Sequence, residues 1–237
     1  LLVAGLGLEH YLDLLMDAED EAAGLAGGTP RTIEGPLYVA GAPLSKHEAR
    51  LDDGQDNGTV LFMQGRVLDT DGQPLSGAIV DVWHANTGGT YSYFDASQSE
   101  FNLRRRIETD AEGRYRFRSI VPSGYGCPPD GPTQHLLDQL GRHGQRPAHV
   151  HFFISAPGHR HLTTQINLAG DKYLHDDFAY ATRDELIAEI NFFDDPAKAH
   201  AHGISGRFAE IEFDFTLQAT AEPKAQQRQE RVRALED

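Results

Sequence analysis

The stretch Pro147-Ala-His-Val-His-Phe-Phe-Ile-Ser155 carries the pattern that decides the fold of this 237-residue chain. Val150 and Phe152 alternate with His149 and His151, and a period of two residues is typical of a β-strand whose side chains point to opposite faces. The apolar neighbours predict that this strand is buried. Buried imidazoles leave polar nitrogens unmatched unless they bind something. The stretch therefore predicts both a strand and a ligand site.

Further strand-like runs lie on both sides of this stretch, separated by turn signals such as Asp71-Gly72 and Asp110-Ala-Glu-Gly113. Many short strands with few helices between them predict a mainly-β protein, built as an antiparallel β-sandwich. One short helix is predicted at residues 184–190. The predicted strands cover residues 59–63, 65–68, 78–83, 114–118, 162–168 and 208–217.

The first 26 residues show a helical pattern instead. Leu8, Leu12 and Leu15 recur at steps of four and three, and Gly27-Gly28-Thr29-Pro30 ends any helix. Because Leu1 already lies inside the pattern, we expect this segment to be the N-terminally truncated end of a longer helical element. Its apolar stripe predicts contact with the main domain or with a second subunit.

These patterns divide the chain into a helical segment at 1–28, a β-sandwich domain with the candidate site at 29–219, and a polar tail at 220–237. The 21 Lys and Arg against 36 Asp and Glu give a net charge of −15. This charge argues against binding nucleic acid or anionic membranes by bulk attraction, and no apolar run approaches the roughly 20 residues of a membrane helix. Cys127 is the one cysteine, which excludes an internal disulfide and favours the cytoplasm.

Three His-x-His pairs are candidates for metal binding, since residues i and i+2 of a strand share one face. The pair at 159 and 161 follows a Pro-Gly turn, and the pair at 200 and 202 lies in a polar loop, so both are interpreted as surface histidines. The pair His149 and His151 is the one with buried neighbours. His84 is a lesser rival. The nearby acids Asp138 and Asp171 do not form an obvious carboxylate partner for the pair.

Two tyrosines in glycine-rich loops are the other candidates. Tyr91 lies in Thr87-Gly-Gly-Thr-Tyr-Ser-Tyr93, and Tyr125 lies in Pro122-Ser-Gly-Tyr-Gly-Cys-Pro-Pro129. Phenolate is a hard, anionic oxygen donor, so two phenolates would favour Fe(III) over Fe(II). The simpler interpretation of each residue is a turn tyrosine with its ring on the surface.

These motifs together resemble those of the intradiol ring-cleavage dioxygenases, over residues 1 to 217. The resemblance implies a β-sandwich with an N-terminal helical segment that forms a homodimer, and lipid can occupy that helical interface. It also implies cleavage of catechol or substituted catechols by O2 between the two hydroxylated carbons, which gives cis,cis-muconate. The matching segments are Gly89-Thr-Tyr91, Gly124–Pro129, Arg142–His151, Thr163-Thr-Gln165, Arg31–Pro43 and Asp177–Thr182.

The same resemblance implies roles for individual residues. One non-haem Fe(III) per chain would be bound by Tyr91, Tyr125, His149 and His151, and Tyr125 would be the ligand that leaves when the substrate binds. Arg146 and Gln165 would face the bound ring, and with Tyr125 they form the predicted catalytic set. The predicted substrate-binding residues are Ile33, Pro36, Leu37, Cys127, Phe178 and Ala179.

Several alternatives stay open on the sequence. A carboxylated diol such as protocatechuate should require a cation in the pocket, whereas Ile33, Pro36 and Leu37 are apolar; hydroxyquinol and chlorocatechols are further candidates. A binding module without chemistry would also contain strand–turn–strand units like Gly65–Ala78. At the level of residues, Arg146 could pair with a surface acid and Gln165 could be a neutral strand residue.

Three other residues or runs have simpler interpretations. Arg104-Arg-Arg106 is predicted to be a solvated strand edge or to pair with acids. Trp83 is predicted to be a core residue. Cys127 is predicted to be a small apolar wall residue, because no histidine partner that would activate its thiol is evident.

Overall fold

The computed structural model describes residues 1–220 and places the histidine-bearing strand near the middle of a six-stranded sheet. The sheet has the order β1-β5-β4-β9-β10-β11. Its strands are β1 (Leu44–Lys46), β4 (Ile79–His84), β5 (Arg104–Glu108), β9 (His149–Ser155), β10 (Leu162–Leu168) and β11 (Ile187–Ala188).

A second sheet packs against the first and has the order β12-β13-β3-β6-β2, with β14 paired to the far half of β3. A separate two-stranded ribbon joins β7 (Tyr125–Gly126) to β8 (Gln145–Arg146). The strands of the second sheet are β2 (Glu48–Arg50), β3 (Val60–Asp69), β6 (Arg114–Ile120), β12 (Asn191–Phe193), β13 (Phe208–Glu212) and β14 (Phe215–Leu217).

The main core lies between the two sheets and uses one face of each strand. Val150, Phe152 and Ile154 of β9 are fully buried in this core. The alternation in the sequence therefore separates the two faces of β9 as expected: the apolar side chains point into the core, and the histidines lie on the opposite face. Facing side chains from the second sheet include Leu61, Met63, Phe117, Ile211 and Phe215.

The mainly-β class with an N-terminal helical segment is confirmed, but the sheets are mixed instead of purely antiparallel. The pairs β3–β6, β4–β5, β4–β9 and β9–β10 are antiparallel. The pairs that add β1, β2, β11, β13 and β14 are parallel. The long loops between strands allow these short strands to join an edge in either direction, which a pattern of alternation within one strand cannot reveal.

The predicted strand at 208–217 is divided into β13 and β14. Both segments pair with β3, and the chain crosses over Gly65 between them: a Cβ on Gly65 would overlap the Phe213 carbonyl oxygen, so no side chain fits there. The Tyr115 hydroxyl donates to that carbonyl at 2.8 Å, and the Asp214 carboxylate accepts from the Arg66 backbone N–H at 2.7 Å. These bonds satisfy the backbone groups freed by the break.

The N-terminal segment is helical but is divided into two helices, α1 (Leu2–Gly5) and α2 (Leu8–Ala22). Gly7 adopts a φ of 78°, in the left-handed region, which interrupts the continuous helix that was predicted. No residue of α2 is buried. Ion pairs attach α2 to the sandwich: Asp17 accepts from Arg31 at 2.8 Å and from Arg183 at 2.5 Å.

The predicted helix at 184–190 is wrong. A single 3₁₀ turn (Asp184–Leu186) leads into β11, which pairs with the end of β10 because the chain here extends the edge of the first sheet. Two other short helices occur, α3 (Pro132–Gln139) and α4 (Pro196–Ala201). The predicted polar tail lies outside the described residues after Thr220. Within residues 1–220, the helices are all too short or too polar to cross a membrane.

Candidate active site

His149 and His151 lie on the face of β9 that points away from the main core, and their Nε2 atoms are 3.1 Å apart. Both side chains are 1% exposed. The Nδ1 atom of His149 lies 2.7 Å from the Pro147 carbonyl oxygen. Because a carbonyl can only accept, Nδ1 carries the proton and the lone pair of His149 is on Nε2. Its Nε2 is therefore a metal-binding atom facing His151.

Neighbouring strands hold the His151 ring in place. Trp83 of β4 is directly opposite His151 and stacks on it, with ring centroids 4.9 Å apart and an angle of 6°. Gln165 of β10 is opposite His151 on the other side. The prediction of Trp83 as a buried residue is confirmed by its 1% exposure, but its contact with a candidate ligand could be inferred only from the strand register.

The two candidate tyrosines reach the histidines from separate loops. The Tyr125 hydroxyl is 3.5 Å from His149 Nε2, and the Tyr125 ring lies 5.5 Å from the Tyr91 ring at 89°. The Tyr91 hydroxyl is buried and has no hydrogen-bond partner. Gly89 permits the close approach of the loops: its φ is 76°, and a Cβ there would lie 3.0 Å from the Tyr125 Cβ.

Burial keeps the histidines and Tyr91 uncharged in the absence of a cation. Burial, followed by the charge of Arg146, lowers the pKa of His149 to about 3, and burial lowers the pKa of His151 well below its ordinary value. Burial also raises the pKa of the Tyr91 phenol, with Tyr125 adding to the effect. A metal cation would reverse the preference of the phenols by stabilising their anions.

Arg146 is buried beside the histidines and does not pair with a surface acid. Its Nη1 donates to His149 Nε2 at 3.1 Å, and its Nη2 donates to Gln165 Oε1 at 2.8 Å. Its ionic partner is Asp177, which is also buried. Burial alone would lower the pKa of Arg146, but Asp177 and Tyr125 outweigh it and raise the pKa.

Two residues of this network had no predicted role. Asp177 begins a segment whose motif was recognised, but it was given no function, and Asn167 accepts from the Gln165 amide at 3.1 Å. Asn167 could have been found from sheet register, since it is opposite His149 on β10. For Asp177, the sequence signal that could have indicated a buried, paired carboxylate was an acid directly before the apolar run Phe178–Ala181.

A cavity of about 860 Å³ opens beside this cluster and runs up to helix α2. Of the predicted substrate-binding residues, Ile33, Pro36, Phe178 and Ala179 border the cavity, as do Tyr125 and Arg146. Cys127 lies behind this wall, in an apolar cluster with Ile33 and Phe178. Leu37 packs against the cluster of Trp83, Tyr91 and Phe153.

Of the rival histidines, His161 borders the same cavity and packs on the Phe153 ring with centroids 5.1 Å apart, and the others lie elsewhere in the described chain. His84 is on the core side of β4, where its ring nitrogens are 2.7 Å from the Ala85 carbonyl oxygen and 2.7 Å from Ser119 Oγ, so both are already used. His202 Nε2 is 3.1 Å from Glu210, and His159 Nδ1 is 2.9 Å from the Pro157 carbonyl oxygen. Neither contacts the cluster of His149 and His151.

The prediction that Arg104 is solvated is wrong. Arg104 is 1% exposed, because β5 lies between β1 and β4 instead of at an edge. Its guanidinium donates to Ser92 Oγ at 2.9 Å and lies 5.7 Å from the centre of the Tyr91 ring. This places a cation against one of the candidate metal ligands.

The four donor groups fit a ferric ion by their chemistry and their burial. His149 Nε2 lies close to both His151 Nε2 and the Tyr125 hydroxyl, and the Tyr91 ring packs on the Tyr125 ring. The buried Tyr91 hydroxyl has no hydrogen-bond partner within the protein, which leaves it able to bind an ion. Across the described part of the chain, no group of three or more His, Cys, Asp or Glu side chains forms an alternative site.

Comparison with known proteins defines the class. A family model described as Dioxygenase matches residues 33–219. The chain therefore belongs to this family, the intradiol ring-cleavage dioxygenases.

Several relatives within the family that are 50–68% identical to this chain are named for one activity. The catechol 1,2-dioxygenase of Acinetobacter baylyi is 60% identical over 220 residues, which cover 92% of this chain and 71% of that protein. The crystal structure of catechol 1,2-dioxygenase from Pseudomonas arvilla C-1 matches with a TM-score of 0.94 at 72% identity, covering 99% of this chain and 76% of that chain. The hydroxyquinol 1,2-dioxygenase of a Rhizobium strain is 38% identical over 195 residues, covering 81% of this chain and 65% of that protein.

Proposed function

We propose that this protein is an Fe(III)-dependent catechol 1,2-dioxygenase, which uses O2 to cleave catechol between its two hydroxylated carbons and releases cis,cis-muconate. The observation that carries the proposal is the convergence of His149, His151 and Tyr125 within 3.5 Å at one end of a cavity. The high identity to proteins named for this activity supports it.

Tyr91, Tyr125, His149 and His151 would hold the iron. A bound ferric ion would supply binding of both diol oxygens and withdrawal of electron density from the ring, which makes the ring carbons reactive toward O2. Neutral imidazoles are the form that binds a metal, and burial maintains that form here. A bound ion would take the His149 Nε2 lone pair to which Arg146 Nη1 otherwise donates.

The protein's other residues prepare the site for a planar diol. Tyr125 borders the cavity, and in the phenolate form that a bound cation would favour, its oxygen can accept a proton from the entering diol and become a neutral phenol. Arg146 is held beside His149 with its charge fixed, so its N–H groups stabilise negative charge on the ring. Gln165 helps to hold the Arg146 guanidinium in place, because its Oε1 accepts a hydrogen bond from Nη2.

The shape and polarity of the pocket favour catechol or small substituted catechols. Ile33, Pro36, Phe178 and Ala179 provide an apolar wall along the cavity. The cavity is also lined by Arg31, Arg146, Arg160 and Arg183, but each of these cations is already paired with an aspartate, which disfavours binding of the protocatechuate carboxylate. Hydroxyquinol and chlorocatechols remain candidates for slower substrates, since they carry no carboxylate.

The exposed apolar helices and the cysteine content of the chain support two further proposals, on its assembly and on its location. We propose that the exposed apolar faces of α1 and α2 pair with the same faces of a second copy, and that a lipid chain can occupy this interface. Leu8, Tyr11, Leu12 and Leu15 support this, since each is more than two-fifths exposed. We place the protein in the cytoplasm because its one cysteine forms no disulfide.

The test is anaerobic addition of catechol to the iron-loaded protein, followed by O2 and identification of the product. We expect a red protein whose visible absorption changes on catechol binding, and cis,cis-muconate after O2. A colourless protein that retains iron elsewhere would indicate a binding module. A yellow semialdehyde would show cleavage beside the hydroxyls and would overturn the proposed reaction.

A further inference from the structure

Asp177 contacts both the charged group of the site and the wall of the cavity. Its carboxylate pairs with Arg146 and also accepts backbone N–H groups from the turn that carries Phe178 and Ala179. We propose that Asp177 is a positioning residue, which aligns Arg146 and at the same time sets the pocket wall. This inference rests on the proposed function and adds a residue to its machinery.

The contact with Arg146 fixes the plane of its guanidinium. Nε donates to Oδ1 at 3.2 Å, and Nη2 donates to Oδ2 at 3.2 Å, which is the two-pronged geometry of a directed ion pair. The side chains are 3% and 1% exposed, so water cannot replace either partner. Because two N–H groups are held by Asp177, Nη1 is left directed at His149 Nε2.

The contact with the backbone fixes the turn. Oδ1 accepts from the Ala179 N–H at 3.0 Å, and Oδ2 accepts from the Ala181 N–H at 3.3 Å. Tyr180 lies between them with a φ of 55°, a left-handed conformation that costs free energy in a residue with a side chain. The carboxylate stabilises this turn, and the turn places Phe178 and Ala179 at the cavity.

The two roles can be separated by two substitutions. Asp177→Asn retains a side-chain oxygen that can accept the Ala179 N–H but removes the charge that holds Arg146. Asp177→Ala removes both contacts. Asp176→Asn is the matched control, because that neighbouring carboxylate is 80% exposed and pairs with His143 across 2.9 Å instead of with Arg146.

Both Asp177 variants are expected to lower kcat per bound iron by about 10–100-fold, the usual cost of losing a group that supports a ligand shell. Asp176→Asn should stay within about twofold of wild type. The ratio of kcat/KM for catechol to kcat/KM for 4-methylcatechol should be altered several-fold in Asp177→Ala and clearly less in Asp177→Asn, since Asn keeps one of the two oxygens that accept N–H groups from the turn and Ala keeps neither. An Asp177→Asn variant with wild-type kcat, or equal ratios in both variants, would overturn the proposal.

A charge-neutral double variant shows whether Asp177 acts through Arg146. Asp177→Asn leaves a buried charge unpaired, so its Tm should fall, and adding Arg146→Gln should recover most of that loss. Against the Arg146→Gln background, Asp177→Asn should lower kcat by no more than about twofold. Losses in kcat that multiply, or a double variant that regains neither folding nor Tm, would overturn the proposal. Where Asp177→Asn alone does not fold, the double variant decides the question.

Wild-type activity separates this inference from the proposed function. If the wild-type protein does not cleave catechol, the proposed function fails, and the recovery of Tm in the double variant still tests the pairing of Asp177 with Arg146. If the wild type cleaves catechol and Asp177→Asn does so at the same rate, only the positioning role fails.

Discussion

Tyr125 is the least buried of the four candidate ligands. It lies on a two-residue strand, borders the cavity and approaches His149 Nε2 at 3.5 Å, which is long for a strong hydrogen bond. Tyr91, in contrast, is 3% exposed and enclosed by Trp83 and Phe153. We therefore propose Tyr125, and not Tyr91, as the ligand that an entering diol would displace.

Replacing Tyr125 with Phe is expected to shift or bleach the visible charge-transfer band and to lower turnover by about 100-fold or more, because both a phenolate donor and a proton acceptor are lost. Absorption spectra and steady-state kinetics of the iron-loaded variant measure both effects. Tyr173→Phe is a suitable control, since that ring packs on His143 away from the site. An unchanged band and rate would remove Tyr125 from the ligand set.

The choice of histidine pair gives a second prediction. His159→Ala is expected to leave iron content at wild-type levels, because that imidazole bonds to the Pro157 carbonyl at the protein surface. His151→Ala should reduce iron to well below one per chain, since it removes a buried donor. Metal analysis of the two purified variants is the measurement, and loss of iron from His159→Ala alone would mean that the wrong pair was chosen.

At the scale of residues, a site residue could be predicted from spacing only where its neighbours in the site lie on the same strand. The shared face of His149 and His151 follows from strand alternation alone. Tyr91 and Tyr125 come from separate loops, so their approach to the histidines was implied by resemblance and not by spacing. Arg104 and Asp177 were misjudged or overlooked because a charged residue is usually solvated, and only tertiary structure shows that these are buried.

At the scale of elements, helix α2 is attached to the sandwich by charges and carries one carboxyl group that opposes the attachment. Burial raises the pKa of Asp13 to about 6, against the lowering effects of Arg31 and Arg183 and with added repulsion from Asp17. One of its oxygens is buried and has no hydrogen-bond partner. The folded protein therefore binds a proton at Asp13 more tightly than the unfolded chain does.

A raised carboxyl pKa gives a pH dependence of definite sign. The ionised Asp13 destabilises the folded state above about pH 6, and this cost disappears as pH falls toward the ordinary carboxyl range. Asp13→Asn is expected to raise Tm by about 2–4 °C at pH 7.5, and this gain should shrink toward zero near pH 4. Thermal unfolding of both proteins across this pH range is the measurement.

Asp110 is a useful comparison for this experiment. Burial would raise the pKa of its carboxyl group, but backbone and side-chain contacts with Arg114 outweigh burial and lower it. Asp110→Asn should therefore reduce Tm at pH 7.5, opposite to Asp13→Asn. A Tm difference for Asp13→Asn that is constant with pH would show that Asp13 has an ordinary pKa.

The limits of prediction at this scale lie at the edges of the sheets. The central strands β3, β4, β6, β9 and β10 were predicted to within a few residues because each has a clear alternation or apolar run, whereas β5, with its arginine run, was expected only as a solvated strand edge. The short edge strands at 44–46, 48–50 and 187–188 carry no such pattern, and their formation depends on a neighbour already being in place. Residues 184–190 have a helix-like pattern, but residues 187–188 form a strand because β10 is already in place to pair with them.

At the scale of the whole molecule, most of the exposed large apolar side chains among residues 1–220 lie on α1 and α2. Leu12→Asp together with Leu15→Asp is expected to weaken self-association by about 100-fold or more, since each leucine buried in an interface contributes about 1.5–3 kcal/mol. Sedimentation at a series of concentrations measures this change. Leu140→Asp is a matched control on an exposed leucine elsewhere, and a dimer undisturbed by the double substitution would place the interface on another surface.

Strand β9 belongs to the hydrophobic interior on one side and to the candidate iron centre on the other. Its amide protons should therefore be among the slowest to exchange with solvent, opening only when the entire sandwich opens. Heating should then bring no separate inactivation at lower temperature: loss of turnover and calorimetric melting are expected to coincide. Activity should therefore be lost only when the β-sandwich itself unfolds, because the same strand holds both.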